Sequence, residues 1–404
     1  MERDSRHAAL VDALLYGGSA LFAVLVLGNS SMLRNRTWAE FAWPSYAAGT
    51  VGALALAGLP LRLVRARVAL ATGVLIGAVL VPLAVEVKWR TEPARAPAAA
   101  LHPYGASEIV VTEGAALALL EGRDPYSARF MSRELEGRSP STGRHFPYLP
   151  GMIAFGLPHA LVPSTPWSDA RVFFLLATLA AGAVALARWR GPPAQRLRAL
   201  QVLMVLPTGA AALVTGGDDI PVLALCLLAL VLFDRGRLAG SAVAAAAAAS
   251  LKLTAWPLLL MLAVPSRRAR AAFAGVAVVV LVAAAAGPAD FVDDVLLFPT
   301  GLTNLPSPAA TTTLGSVMIA PVGDTSAYRV VLTLALLAVA AAVTAFVFAA
   351  LARRRQIGAS EAAGAAALVL LALIVLAPVA RAGYLVYPLD LIAWAALLRR
   401  AHAS

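Results

Sequence analysis

Long runs of apolar residues, separated by short segments rich in arginine, dominate this sequence from end to end. A helix needs about 20 such residues to cross the hydrocarbon core of a membrane. Twelve runs approach this length, at 12–33, 41–61, 68–87, 170–187, 199–216, 220–233, 238–250, 254–265, 271–287, 328–351, 360–378 and 384–398. Only 14% of the residues are charged, against about a quarter in soluble domains. This excludes a water-soluble enzyme and predicts an all-α polytopic membrane protein with about 12 transmembrane helices.

Positive charge is concentrated between the apolar runs. The formal net charge of +11, taken alone, could indicate a nucleic-acid partner. Arginine clusters in short loops instead mark the cytoplasmic side of membrane proteins. The clusters comprise Arg62, Arg65 and Arg67; Arg188, Arg190, Arg196 and Arg198; Arg267, Arg268 and Arg270; and Arg353 to Arg355. Placing both termini in the cytoplasm puts nearly every arginine cluster there, with Arg34/Arg36 and Arg381 as the exceptions. We predict a multi-pass protein whose partner is the lipid bilayer, with no nucleic acid bound.

Two long polar segments, 88–168 and 288–328, face outward in this topology. Outer loops of this length can carry chemistry in the aqueous phase. The first contains two further apolar stretches, 108–120 and 149–163, which acidic residues or prolines interrupt. Because ionised groups at membrane depth are costly, we predict two helices that lie in the interface plane instead of crossing.

Four short motifs follow one another along the chain. They are Leu-Leu-Glu-Gly-Arg-Asp-Pro-Tyr at 119–126, Phe-Pro-Tyr-Leu-Pro at 146–150, Gly-Gly-Asp-Asp at 216–219 and Ala-Ser-Leu-Lys-Leu-Thr at 249–254. In this order they resemble motifs of the polyprenyl-phosphate-sugar-dependent membrane glycosyltransferases of the C-type superfamily, and specifically the mannosyltransferase-like family 87. The resemblance covers roughly residues 68–398. This chain departs from it in having Glu108 where aspartate is usual, and in having two helices before residue 68.

The resemblance implies both an architecture and an activity. The architecture is two extra N-terminal transmembrane helices in 1–66, followed by a glycosyltransferase-like membrane core in 67–404. The activity is inverting transfer of a sugar, mannose in preference to arabinose, from a polyprenyl-phosphate donor. The acceptor would be an envelope glycolipid or polysaccharide, and no cofactor is implied. The active site would face outward from a bacterial plasma membrane.

A base is the group that this transfer most needs from the protein. The acceptor hydroxyl must lose its proton, whereas the phosphate leaves as a stable anion without an acid. Glu108 and Glu113 are the candidates, and on one helix they would point about 140° apart. Ser107 suits the N-cap position, which places Glu108 in the first turn, where the helix dipole favours a carboxylate. We predict Glu108 as the base and Glu113 as the second candidate; the alternative is that both are solvated surface acids.

Cations near the outer boundary of the membrane are candidates for binding the donor's phosphate. Lys252 lies at the junction of two short apolar runs, and Arg381 lies between the last two runs beside Tyr384. Arg171, just inside the fourth run, is a third candidate. The alternative is that these side chains extend toward lipid headgroups.

Polar and aromatic residues of the first outer segment, with two aspartates at the outer tip of a later helix, complete the predicted substrate site; they are Asp124, Tyr126, His145, Tyr148, Asp218 and Asp219. His145 would contact the phosphate, Tyr148 would line an acceptor groove, and Asp218 and Asp219 would bind sugar hydroxyls or a divalent cation. The alternatives are a local turn at Asp124, interfacial anchoring by Tyr148 and a helix N-cap at 218–219. No two histidines have the spacing of zinc ligands, so no metal site is predicted.

Two other classes of membrane protein fit the same composition. A transporter or lipid flippase would also be polytopic, but such proteins often contain internal repeats, and none is visible here. A non-catalytic membrane assembly subunit could keep the fold without the base, as the glutamate at position 108 would allow.

Overall fold

The computed structural model describes residues 2–59, 64–92, 107–127, 145–163, 165–303, 313–319 and 327–403. Every regular element within these ranges is helical, which confirms the predicted all-α class. The helices are α1 Glu2–Asn29, α2 Leu33–Ala57, α3 Val64–Thr91, α4 Ser107–Leu120, α5 Leu157–Leu161, α6 Ala170–Arg188, α7 Pro193–Thr215, α8 Asp219–Asp234, α9 Leu238–Leu251, α10 Trp256–Ala263, α11 Arg267–Ala286, α12 Pro288–Val292, α13 Leu314–Ile319, α14 Ala327–Ala352, α15 Ala359–Leu376 and α16 Val386–Ala403.

Seven of the described helices are long and apolar enough to cross a membrane, so the protein is a multi-pass membrane protein. They are α1, α3, α6, α7, α11, α14 and α15. Each of the twelve apolar runs coincides with helical residues, although a count of twelve crossings stays a prediction. Among the shorter helices, α9 and the segment Leu253–Ala263 are also apolar.

The two apolar stretches of the first outer segment differ in structure. The first forms one helix, α4, over nearly the predicted residues. The second is broken into a 3-10 helix at Pro150–Phe155 and the short helix α5, as expected for a stretch with prolines at both ends and in the middle. Their predicted location in the membrane interface stays a prediction.

The chain forms two compact units that do not follow sequence order. The first comprises residues 1–109 and 162–221, and the second comprises residues 110–161 and 222–403. Helices α1 and α2 pack in the same unit as α3, α6 and α7. The predicted division between 1–66 and 67–404 stays a prediction.

Two π-helical turns in the first unit are bound by side chains of α2. The turn at Ile76–Leu80 interrupts α3, and the turn at Gln201–Val205 interrupts α7. A widened turn displaces backbone carbonyls from their usual helical donors. Trp38 Nε1 donates to the carbonyl of Ala78 at 3.0 Å, and the hydroxyl of Tyr46 donates to the carbonyl of Val205 at 2.6 Å. Helix α2 therefore satisfies polar backbone groups at both turns.

A charged network joins three helices of the first unit. The carboxylate of Asp12 in α1 pairs with Arg67 of α3 and, at 2.9 Å, with Arg198 of α7. Gln201 donates both to Asp12, at 3.1 Å, and to the hydroxyl of Tyr16, at 2.8 Å. Arg67 and Arg198 come from two arginine clusters that the predicted topology places on the same side of the membrane.

In the second unit, two glycines allow the segment 150–156 to contact its neighbours at backbone distance. A Cβ on Gly151 would lie 2.8 Å from the carbonyl oxygen of Ser250, near the end of α9. A Cβ on Gly156 would lie 2.2 Å from the carbonyl oxygen of Thr112 in α4. The segment 150–156 is therefore held between α4 and α9. Its position also fixes that of the adjoining 146–150 motif.

Replacing Gly156 with alanine is expected to destabilise the protein by about 1–3 kcal/mol, because the new methyl group would overlap backbone atoms that cannot rotate away. Thermal unfolding of the purified protein in detergent measures this loss. The matched control is Gly364→Ala in α15, where a Cβ would meet nothing within 4 Å. Because alanine is the better helix former, the control should be neutral or slightly stabilising. Equal melting temperatures for the two variants would show that the close approach at Gly156 is not real.

Candidate active site

The Phe146–Pro150 motif lies against the junction that carries Lys252. The backbone N–H of Leu149 donates to the carbonyl of Leu251 at 3.1 Å. Lys252 has extended backbone between α9 and the next 3-10 turn, and its side chain is buried. Its Nζ lies 5.0 Å from the ring centroid of Tyr148, within the range of a cation–π interaction. The structure thus brings together two predicted substrate-binding residues from distant parts of the chain.

Aromatic rings surround this contact. Tyr126 packs against Phe146 and Phe291, with ring centroids 5.5 and 4.7 Å apart, and Phe146 packs edge-on against Tyr148 at 5.4 Å. The hydroxyl of Tyr126 donates to the carbonyl of Tyr148 at 3.1 Å. Burial raises the pKa of Tyr126, so the hydroxyl stays protonated and serves as a donor. The hydroxyl of Tyr126 therefore holds the backbone of the 146–150 motif at Tyr148.

Asp124 forms a local turn beside these rings. Its Oδ1 accepts a hydrogen bond from the backbone N–H of Tyr126 at 3.0 Å, which confirms the predicted turn. A Cβ on Gly287 would lie 2.3 Å from Oδ2 of Asp124, so the backbone just before the segment 288–328 touches this turn. A direct contact between Asp124 and substrate stays a prediction.

His145 pairs with an acid that the sequence did not single out. Its Nδ1 lies 2.6 Å from Oδ1 of Asp294, and Oδ2 of Asp294 accepts the backbone N–H of Phe146 at 2.8 Å. The imidazole stacks on Phe298 with 4.2 Å between centroids. Burial raises the pKa of Asp294, although the hydrogen bonds from His145 and Phe146 oppose that rise. The predicted phosphate ligand is thus fixed in orientation by a carboxylate and an aromatic ring.

The two candidate bases share helix α4, and both carboxylates are buried. Glu108 lies in the first turn and is 9% exposed, and Glu113 is 4% exposed. These exposures argue against the alternative that both are solvated acids. Oε2 of Glu113 lies 3.8 Å from Nε2 of His159. The predicted cap by Ser107 depends on a side chain that lies outside the described part of the chain.

Arg171 is enclosed by carboxylates in the first unit. Its guanidinium donates to both carboxylate oxygens of Asp169, each at 2.9 Å, and to Oε2 of Glu86 at 3.1 Å. Arg90 adds a second cation, 2.9 Å from Asp169. Burial opposes ionisation of Asp169, but the charges of Arg171 and Arg90 outweigh it and hold the pKa of this carboxyl well below its usual range. These bonds favour a structural role for Arg171 over the predicted contact with phosphate.

The remaining predicted residues lie at helix boundaries. Asp218 is buried and Asp219 begins α8, after a left-handed turn at Gly216. Arg381 and Tyr384 are half-buried in the connection that leads into α16. Asp218 and Asp219 belong to the first unit, together with Glu108 and Arg171, whereas the residues around Tyr148 belong to the second.

Comparison with known proteins adds one finding about the chain. The model of a family described as glycosyltransferase family 87 matches residues 146–378, which is more than half of the sequence. The matched range includes Tyr148, Lys252 and Asp294, and it begins after both candidate bases. No curated protein matches the sequence.

Proposed function

Because this chain belongs to glycosyltransferase family 87, and is therefore a membrane glycosyltransferase, we propose that it uses a polyprenyl-phosphate sugar as donor. Mannose is the favoured sugar and arabinose the second candidate. The acceptor is a glycolipid or polysaccharide of the cell envelope. The reaction takes place on the outer face of a bacterial plasma membrane, where such acceptors are exposed.

The observation that carries this proposal is the contact between Lys252 and the ring of Tyr148. A buried cation beside an aromatic face suits a ligand that joins a phosphate to a sugar, because the cation attracts the phosphate and the ring packs against the apolar face of the sugar. His145 is proposed as a further phosphate ligand. The other proposed substrate-binding residues are Asp124, Tyr126, Asp218, Asp219, Arg381 and Tyr384.

Glu108 is the proposed base, with Glu113 as the second candidate. The carboxylate takes the proton of the acceptor hydroxyl while the hydroxyl oxygen forms a bond to the anomeric carbon. The bond from that carbon to the phosphate oxygen breaks on the opposite side, which inverts the configuration. Polyprenyl phosphate leaves as an anion that holds the bonding electrons. Support for this assignment comes from the family resemblance, the burial of Glu108 and its place in the first turn of α4.

Radiolabelled donors test the proposal directly. The purified protein in liposomes is given polyprenyl-phosphate mannose or arabinose together with an envelope glycolipid extract, and label in the glycolipid is counted. We expect transfer from one donor, and a weaker apparent donor affinity for Lys252→Met. A flippase would instead move the donor across the bilayer without consuming it. Transfer from neither donor, with the protein folded, would reject the proposed activity.

A further inference from the structure

Three ligating side chains of the second unit converge near the second outer segment. Nδ1 of His145 lies 2.6 Å from Oδ1 of Asp294 and 3.6 Å from Oδ2 of Asp293. All three atoms lie within 4.8 Å of one another. A cation with ligand distances of about 2.0–2.6 Å can contact atoms at this spacing after small side-chain movements. One imidazole and two carboxylates form a set that suits divalent ions such as Mn²⁺ or Zn²⁺.

The surrounding residues already hold two of these ligands in place. The ring of His145 stacks on Phe298, and the second oxygen of Asp294 accepts the N–H of Phe146. Such outer contacts commonly orient the ligands of metal sites. Both aspartates open a π-helical turn at Asp293–Leu297, a feature that is frequent at functional sites. The side chain of Asp293 is 44% exposed, which gives an ion a route from solvent.

The other ring nitrogen of His145 provides an independent indication of a ligand. Nε2 is buried and has no hydrogen-bond partner among the described residues, while the side chain as a whole is 6% exposed. Most buried polar side-chain atoms in folded proteins have a hydrogen-bond partner, so this nitrogen is available to a bound group. A cation on Nδ1 would fix the proton on Nε2, and that N–H could then donate to an anionic oxygen.

We propose that His145, Asp293 and Asp294 form a divalent-cation site. A second part of the inference rests on the proposed function: the cation bridges the two carboxylates to the donor's phosphate. Without a cation, these carboxylates would repel the phosphate that His145 is proposed to bind. With one, the site attracts the phosphate and stabilises the charge that develops as it leaves.

Mn²⁺ binding to the full-length protein in detergent tests the site without any assay of transfer. After treatment with EDTA and its removal, electron paramagnetic resonance counts bound Mn²⁺, and thermal unfolding reports stabilisation. We expect one Mn²⁺ per chain and a rise in Tm of roughly 5 °C at saturation. Asp293→Asn, which changes a half-exposed side chain, should weaken binding at least about tenfold, as one lost ligand interaction predicts. Asp290→Asn, an acidic neighbour outside the three ligands, is the matched control and should bind like the wild type.

Three outcomes separate the cation site itself from its proposed role in binding the donor's phosphate. Absence of Mn²⁺ binding by the wild type, or equal affinity in wild type and Asp293→Asn, would overturn the cation site. Mn²⁺ binding without sugar transfer from any donor would support the site and count against the proposed function. Mn²⁺ binding with transfer that is unchanged by EDTA would support the site and overturn its bridging role.

Discussion

Replacement of Glu108 by glutamine is expected to lower the rate of sugar transfer by about 10²–10⁴-fold, the usual contribution of a general base. Glutamine keeps the size of the side chain but cannot take a proton from the acceptor hydroxyl. Glutamine fills the same space at this buried position, so the change should affect the chemical step more than the packing of α4. The measurement is transfer of labelled sugar in liposomes, with donor and acceptor varied separately to divide the effect between kcat and KM.

Two other acids of the same region serve as comparisons. Glu121 is 48% exposed and pairs with Arg123 just after α4, so Glu121→Gln should leave transfer unchanged. Glu113→Gln tests the second candidate. If Glu113→Gln abolishes transfer while Glu108→Gln is active, the base is Glu113 and the assignment to Glu108 is wrong.

Replacement of Arg171 by methionine should give the largest loss of stability. It removes the cation that faces Asp169 and Glu86 inside the first unit, where both acids are almost fully buried. Breaking a buried ion pair by removing one partner costs about 3–5 kcal/mol. Here Glu86 loses the cation that it pairs with, and Asp169 keeps only Arg90. Thermal unfolding in detergent should show a Tm lower by at least about 5 °C. Arg188→Met, at the exposed end of the same helix, is the matched control and should have little effect.

The ionisation of Asp169 determines how the loss of stability in Arg171→Met depends on pH. Its pKa in the folded protein lies below the value of about 3.9 for an unperturbed aspartate. A carboxyl with a lowered pKa stabilises the fold above its unfolded pKa, and this contribution is lost as the pH falls through the folded pKa. The Tm difference between wild type and Arg171→Met should therefore be present at neutral pH and narrow as the pH falls into the acid range in which Asp169 becomes protonated. A difference that narrows toward pH 8 would contradict the ion pair.

The helices could be predicted because membrane thickness sets a length for apolar runs. The run 328–351 became Ala327–Ala352, within one residue at each end. The run 41–61 corresponds instead to the helix Leu33–Ala57. Arg34 and Arg36, which precede the run, mark a membrane boundary, but arginine is a good helix former and does not end the helix. The π-helical turns had no sequence signal, because they depend on donors such as Trp38 and Tyr46 that reach them from another helix.

The sequence predicted individual residues of the candidate site, but not which of them contact one another. Lys252 and Tyr148 each had a local signal, but their contact depends on how the segment 146–156 packs. Asp294 was missed because two adjacent acids in an outer segment usually indicate a solvated surface, and only tertiary packing buries one of them against His145. The available signal was the apolar stretch around the pair, from Phe291 to Phe298. Glu86 could also have been singled out from the sequence. It is an acid within an apolar run, and such an acid needs a cation as partner.

The network around Asp12 has a consequence for biogenesis. The side chain of Gln201 that binds Asp12 is made 189 positions later. At about 5–20 residues per second, the ribosome needs roughly 10–40 s to reach it. During that interval the first segment enters the translocon with a carboxylate that lacks its final partners. Assembly of the first unit is therefore completed only after α7 has been synthesised, and nascent chains released before that point would expose an unmatched acid to quality-control proteases.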